Sequence, residues 1–377
     1  MCDLALQPTK IQSTMLTFVS KAFSGEQEAG QKPLEQYAGQ TGPTKWMTQQ
    51  LAAHNCTLFG DVELFRFRVE VMILRAPTSR GFFYFKCCRR ESSFTDEALM
   101  ISYLSQLLPE IVLNPVAVDR ENRRILTADF GESAELCVNT SDHTQQLDSI
   151  SAQLSSLQFE TVREKVAELE SQGLQRCDLD WLFHRISFIF AQYSVRSSIF
   201  GESLREYAPK YQETCKRLQS FGMPMTVIHG DPALVNIIPP QNSESNHLLH
   251  DFGEACIGHP LYDVARLNLD VLSRLNGRGP EEDLYGPLRN ILWIDESILK
   301  HWIPFKPIGQ LKAMMKLVYP MFLLHKAVVA FHRCEVLVSD DRERYAREFL
   351  ELYLVRLYYF SRSYYGAGCE TSNASVE

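Results

Sequence analysis

The stretch VIHGDPALVNII at 227–238, followed by LLHDFGEA at 248–255, decides how the chain is read. Written as spacing, it is H-G-D-x-x-x-x-N and then D-F-G. The polar positions are His229, Gly230, Asp231 and Asn236, then Asp251, Phe252 and Gly253. Val227 and Ile228 lead into the first cluster, Ile237 and Ile238 leave it, and Leu248 and Leu249 lead into the second. Short apolar runs of this kind predict buried strands that deliver polar residues to one edge. The intervening PPQNSESN (239–246) is rich in turn formers and predicts a hairpin-like connection. Two carboxylates and one amide oxygen then converge, a set able to hold a metal-bound phosphate.

In-line phosphoryl transfer needs a carboxylate to orient the acceptor hydroxyl and take its proton, together with oxygen ligands for magnesium. Asp231 suits the first task, and Asn236 and Asp251 suit the second. Upstream, GFFYFKCC (81–88) is an aromatic strand with Lys86 near its end, and Glu97 follows eleven positions later near a helix start. Taken singly, each has an ordinary reading: a solvated strand-end lysine, and a first-turn acid facing the helix dipole. Taken together, they can form a pair in which the carboxylate fixes a flexible ammonium for nucleotide phosphates.

Outward from these motifs, residues 1–43 read as a weakly structured extension with one amphipathic segment at 10–23. A helix is expected at about 44–54, with Trp46, Met47, Leu51 and Ala52 as its apolar face. VELFRFRVEVMIL alternates as strands do, and RAPTSRG (75–81) reads as a turn before the aromatic strand. A helix is predicted at about 94–107, with Thr95 as its N-cap and Asp96 and Glu97 in its first turn. Strands at 114–118 and 123–128 complete a small α+β lobe over 44–131. Apolar spacing near three and four predicts helices through 141–222 and at 260–275, 296–303, 308–333 and 340–363. These make a helical lobe over 132–365, and 366–377 reads as a flexible tail.

The chain has 377 residues, which suits two domains or one two-lobed unit. Its net charge of −8, without a basic stripe, argues against a nucleic-acid partner. The ten cysteines are scattered and form no C-x-x-C pair of zinc spacing. No secretory signal is visible, and the most apolar segment, 317–331, contains Pro320, His325 and Lys326 and is short for a membrane span. A reduced, cytoplasmic protein without a membrane partner is expected. His229 is read as a support of its loop. His247 and His250 are not read as a zinc site. Trp181, Phe183, Phe188, Phe190 and Tyr193 are read as helix core in preference to a substrate cage.

These residues resemble the aminoglycoside phosphotransferase and choline kinase superfamily, the small-molecule branch of the protein-kinase-like fold. HGDPALVN (229–236), HDFGEACIGHPLYDVA (250–265), FFYFKC around Lys86 and DEALMISYL after it carry the resemblance. It covers about 46–275. It implies an α+β, two-lobed fold with a small β-rich N-lobe and a larger, mostly helical C-lobe. It also implies ATP (or GTP) with Mg2+ bound between the lobes. Asp231 would be the catalytic base, and Asn236 and Asp251 the metal ligands. Lys86, held by Glu97, would contact the phosphates. Backbone groups near Ala128 and Phe130 would hold the base, and Asp263 would brace the catalytic loop.

Two positions depart from the family. Pro232 follows the expected catalytic Asp where a larger apolar residue is common. LFRFRVEV (64–71) lacks the glycines of a phosphate-covering loop, which raises Arg66 or Arg68 as substitutes, or a weaker nucleotide grip. The resulting expectation is a Mg-dependent kinase acting on a hydroxyl of a small molecule. The alternative is a kinase-fold nucleotide-binding protein with little transferase activity. A protein kinase fits less well, because the loop reads H-G-D and no A-P-E segment follows D-F-G.

Overall fold

The computed structural model describes residues 42–67, 71–88, 94–134, 143–162, 164–196, 201–240, 242, 245–275, 296–336 and 350–366. The expected segment at 10–23, the tip of the glycine-free loop including Arg68, and the start of the helix expected at 340–363 lie outside them.

The N-terminal lobe is a five-stranded antiparallel sheet among the described residues. Its strands are β1 (Glu63–Phe67), β2 (Val71–Thr78), β3 (Gly81–Cys88), β4 (Ala117–Asp119) and β5 (Arg124–Ala128), in the order β1-β2-β3-β5-β4. Strict alternation in β2 buries Met72, Leu74, Ala76 and Thr78 on one face. These residues join Phe83, Phe85 and Leu126 against Met47 and Leu51 of helix α1 (Pro43–Ala53) to form a core for this lobe. Trp46 lies edge-on to Phe85 at 5.6 Å, whereas Ala52, expected on the apolar face, is exposed.

Two local expectations are corrected. The segment 75–81 is not a turn throughout: β2 continues to Thr78, pairing Pro77 with Phe82 and Thr78 with Gly81. Pro77 is tolerated there because its ring needs no donor while its carbonyl accepts from Phe59 N at 3.0 Å. Helix α2 (Glu97–Leu107) is capped by Asp96, whose side chain accepts from Leu99 N at 3.1 Å. Thr95 instead donates its hydroxyl to the Ala255 carbonyl, tying the helix entry to the segment after D-F-G.

The remainder is mostly helical: α3 (His143–Glu160), α4 (Glu164–Ser171), α5 (Leu179–Arg196), α6 (Gly201–Glu206), α7 (Ala208–Ser220), α8 (Leu261–Leu275), α9 (Glu296–Leu299), α10 (Ile308–Val336) and α11 (Glu351–Gly366). Three strand pieces, β6 (Thr226–Ile228), β7 (Ile237–Ile238) and β8 (Leu248–Leu249), carry the polar motifs, and β9 (Cys256–Gly258) follows. β7 pairs β8 in the expected hairpin, with Ile237 opposite Leu249, while β6 pairs β9. The 29-residue α10, with Pro320 inside it, runs through the core. It is long and apolar enough to cross a membrane, yet 94% of its most apolar window is buried in the protein. Of the α5 aromatics, Phe190 is fully buried and Trp181 and Phe183 partly so, whereas Phe188 is exposed. Tyr193 has no described side chain.

Candidate active site

The loop after β6 is held from beneath. Asp263, in the first turn of α8, accepts from His229 N at 2.9 Å and from Gly230 N at 3.0 Å. Gln158 Nε2 donates to the same carboxylate at 2.9 Å, and Trp302 Nε1 donates to Gln158 Oε1 at 2.7 Å. Asp263 is fully buried, so these donors replace the water it lost. Gly230 has a φ of +83°, and a Cβ there would lie 2.1 Å from the Glu254 carbonyl oxygen. Only glycine suits both constraints. His229, buried beneath the loop, places Nε2 2.9 Å from the His250 carbonyl and its ring 4.6 Å from that of Phe252.

Asp231 and Asn236 are joined directly: Asn236 Nδ2 donates to the Asp231 carbonyl at 2.9 Å. With its nitrogen so used, Asn236 has its amide oxygen to offer a cation. The hairpin brings Asp251 alongside, because His250 N donates to the Asn236 carbonyl at 3.2 Å. Asp251 has a φ of +65° and a carboxylate that is 44% exposed. A half-exposed carboxylate and an amide oxygen are the hard donors that Mg2+ takes.

Lys86 reaches this point from β3. Its ammonium lies 2.7 Å from Glu97 Oε2 and 2.8 Å from Asp251 Oδ1. Burial works against the Lys86 charge, but Asp251 and Glu97 outweigh it and push its pKa up. Burial likewise raises the Asp251 carboxyl, and Lys86 outweighs it, holding the group below the usual carboxylate range. One cation thus serves two carboxylates and links the lobes.

At the edge of the sheet, Asp129 N donates to the Phe82 carbonyl at 2.8 Å. By strand alternation, the backbone groups of Ala128, at the end of β5, point the other way, past β4, whose pairing reaches only Leu126; Phe130 lies beyond the strand. The Phe130 ring lies 4.8 Å from that of His250.

The second cluster surrounds Asp231 and includes residues that motif reading passed over. Arg266 Nε lies 2.6 Å from Asp231 Oδ1, and Arg266 also faces Asp270 at 3.6 Å. Asp270 in turn accepts from Leu234 N at 2.9 Å. Lys326, 2% exposed, lies 3.5 Å from Asp231, contacts Glu254 and approaches the Gly230 carbonyl at 3.4 Å. Arg333 bonds Glu254 at 3.0 Å. Burial raises the Asp231 carboxyl, but Arg266 and then Lys326 outweigh it and hold the group far below its ordinary range. Two signals were present in the sequence. Asp263, Arg266 and Asp270 recur at helical spacing on one face, and a lysine inside a long apolar helix needs a partner.

Residues 144–283 match the family described as "Phosphotransferase enzyme family". Among solved structures, the chain is similar to a macrolide 2'-phosphotransferase type I, at 13% identity over 82% of this chain and 96% of that one, with a TM-score of 0.51. An ethanolamine kinase of Plasmodium vivax gives 15% identity over 79% and 81% of the two chains, with a TM-score of 0.53. The GDP and kanamycin complex of APH(2")-IIia gives 16% identity over 83% and 97%, with a TM-score of 0.52. At such identities these three speak for the fold, the two-lobed α+β protein-kinase-like architecture expected from the motifs. No curated protein sequence matches the chain significantly.

Proposed function

We propose, from the match of residues 144–283 to a phosphotransferase family and from the protein-kinase-like fold, that the chain transfers the γ-phosphoryl group of ATP (or GTP) to a hydroxyl of a small molecule. The observation that carries this reading is the linkage of Lys86–Glu97–Asp251 to Asp231–Asn236 through the hydrogen bond from His250 N to the Asn236 carbonyl. Asp231 accepts a hydrogen bond from the acceptor hydroxyl and aims its oxygen at the phosphorus. The new P–O bond forms as the bond to the β-phosphate oxygen breaks, leaving the nucleoside diphosphate. The hydroxyl proton passes to Asp231 and on to solvent.

With Arg266 and Lys326 beside it, Asp231 stays ionised and is a weak base, which suits positioning of the hydroxyl more than early removal of its proton. This role suits a loose phosphoryl-transfer transition state. Asn236 and Asp251 would hold Mg2+, which when bound neutralises charge on the transferring phosphates. Lys86 supplies a fixed positive charge, and backbone groups near Ala128 and Phe130 would hold the base. The lobe at 44–131 serves the nucleotide, and the acceptor pocket lies among the helices of 132–365. The GDP complex of APH(2")-IIia supports keeping GTP among the donors.

The test is a nucleotide-consumption screen over amino alcohols, aminoglycosides, macrolides and sugars with Mg-ATP and Mg-GTP, with the Asp231→Asn protein as blank. An acceptor-dependent signal absent from the blank is expected. Equal turnover by Asp231→Asn would overturn the assignment.

A further inference from the structure

In the core of the helical part, three soft ligands meet that lie far apart in the sequence. Cys177 precedes α5, Cys256 opens β9, and His325 lies midway along α10. Their sulfur and nitrogen ligand atoms all fall within 4.8 Å of one another. Backbone pairing fixes the two cysteines: Cys177 N donates to the Ile257 carbonyl at 2.7 Å, and Ile257 N donates to the Gln175 carbonyl at 2.9 Å.

A second observation is independent of this clustering. His325 is 1% exposed, and neither ring nitrogen has a hydrogen-bond partner among the described residues. A neutral imidazole has one nitrogen with a lone pair, and nothing among the described residues uses it here, so that nitrogen is open to a metal ion. The adjacent Tyr262, whose ring lies 5.3 Å from that of His325, also has a buried hydroxyl without a partner among the described residues.

We propose that Cys177, Cys256 and His325 form a structural zinc site, with the hydroxyl of Tyr262 as the neighbouring oxygen donor. Zinc–sulfur and zinc–nitrogen bonds of about 2.3 Å and 2.0 Å place tetrahedral ligand atoms about 3.3–3.8 Å apart, so side-chain shifts of about 1 Å close the site. Charge selects the metal. Two thiolates, formed as their protons leave to solvent, neutralise a dication exactly where the core cannot solvate a net charge. A monovalent copper ion in the same ligands would leave a buried net anion. Zinc here ties α10 to β9 and to the entry of α5. It braces the turn of α10 that presents Lys326, the residue after His325, and the strand that begins two residues after Glu254.

The experiment is metal analysis of the full chain, purified under reducing conditions from zinc-replete culture, alongside protein produced in cobalt-supplemented minimal medium. About one zinc per chain is expected, falling to about a tenth of that in Cys256→Ala and in His325→Phe. The cobalt protein should show the visible bands of a tetrahedral ion and a thiolate charge-transfer band, a readout that requires no variant to fold. Zinc at trace level together with no cobalt spectrum would overturn the site. So would a Cys177–Cys256 disulfide in metal-free protein, stoichiometric copper in place of zinc, or full zinc content in both variants.

Discussion

The two ionic clusters around Asp251 and Asp231 are built on different balances. On the proposed nucleotide side, among the described residues, Lys86 alone stands against Glu97 and Asp251, and Asp251 is 44% exposed. On the proposed acceptor side, Arg266, Lys326 and Arg333 stand against Asp231, Glu254 and Asp270, with Lys326 almost fully buried. The first cluster carries a residual negative charge open to solvent, the condition for admitting a cation with its phosphates. The second is neutral and closed around its acids. It fixes the Asp231 carboxylate in place and keeps it ionised. The difference separates two tasks that the motif alone runs together: holding charge that arrives, and holding a group that must not move.

The comparison breaks most sharply at Asp251. Asp251→Ala removes the exposed carboxylate and should lower turnover by about 10³-fold or more in steady-state assays with Mg-ATP. Turnover within tenfold of wild type would mean that the open cluster is not the metal side. Next comes Lys326→Met, which takes the buried cation from Glu254 and Asp231 and leaves them Arg333 and Arg266 alone. A loss of about 3 kcal/mol in denaturant unfolding is expected, against little loss for Asp251→Ala, whose carboxylate is 44% exposed and whose removal leaves Lys86 paired with Glu97. Equal losses would erase the distinction between the clusters.

How much of this was legible in the sequence follows from how far apart the partners lie. HGDPALVN and HDFG are local, so the β7–β8 hairpin and the convergence of Asp231, Asn236 and Asp251 could be read directly. Lys86 and Glu97 lie eleven residues apart on a strand and a helix, and the family resemblance placed them together. Lys326 lies 72 positions from Glu254, and no local spacing announces that pair. The apolar context of α10 required only that Lys326 have a partner. The same holds for Cys177, Cys256 and His325: a search for C-x-x-C spacing cannot find ligands that only the packing of α10 on β9 brings together. The N-cap of α2 was misplaced by one residue because Thr95 and Asp96 both suit a cap, and the contact from Thr95 to the Ala255 carbonyl decides between them.

A smaller effect sharpens the acceptor side. Arg266→Met removes the nearest cation from Asp231, so the carboxyl pKa rises toward its ordinary value. Activity requires the carboxylate, so it is lost as pH falls through that value. The acid limb of the pH–rate profile should therefore move to higher pH, with little change near neutrality, where the carboxylate is ionised in both proteins. An unchanged acid limb would separate Arg266 from the chemistry. The smallest effect concerns stability. Burial lowers His247 to about 4 and His259 to about 3. Below an unfolded value of about 6.5, the unfolded chain binds protons that the folded one refuses, so stability falls as pH drops from about 6.5 toward 4. Melting temperatures measured from pH 7 to pH 5 should decline, and less so in His247→Asn.

The most direct test of the division between the clusters is calorimetric titration of Mg2+ with a non-hydrolysable ATP analogue. Wild type, Asp251→Ala and Arg266→Met are compared. Metal–nucleotide affinity should be at least about tenfold weaker in Asp251→Ala and unchanged in Arg266→Met. Wild-type affinity in Asp251→Ala, or a loss confined to Arg266→Met, would contradict that division.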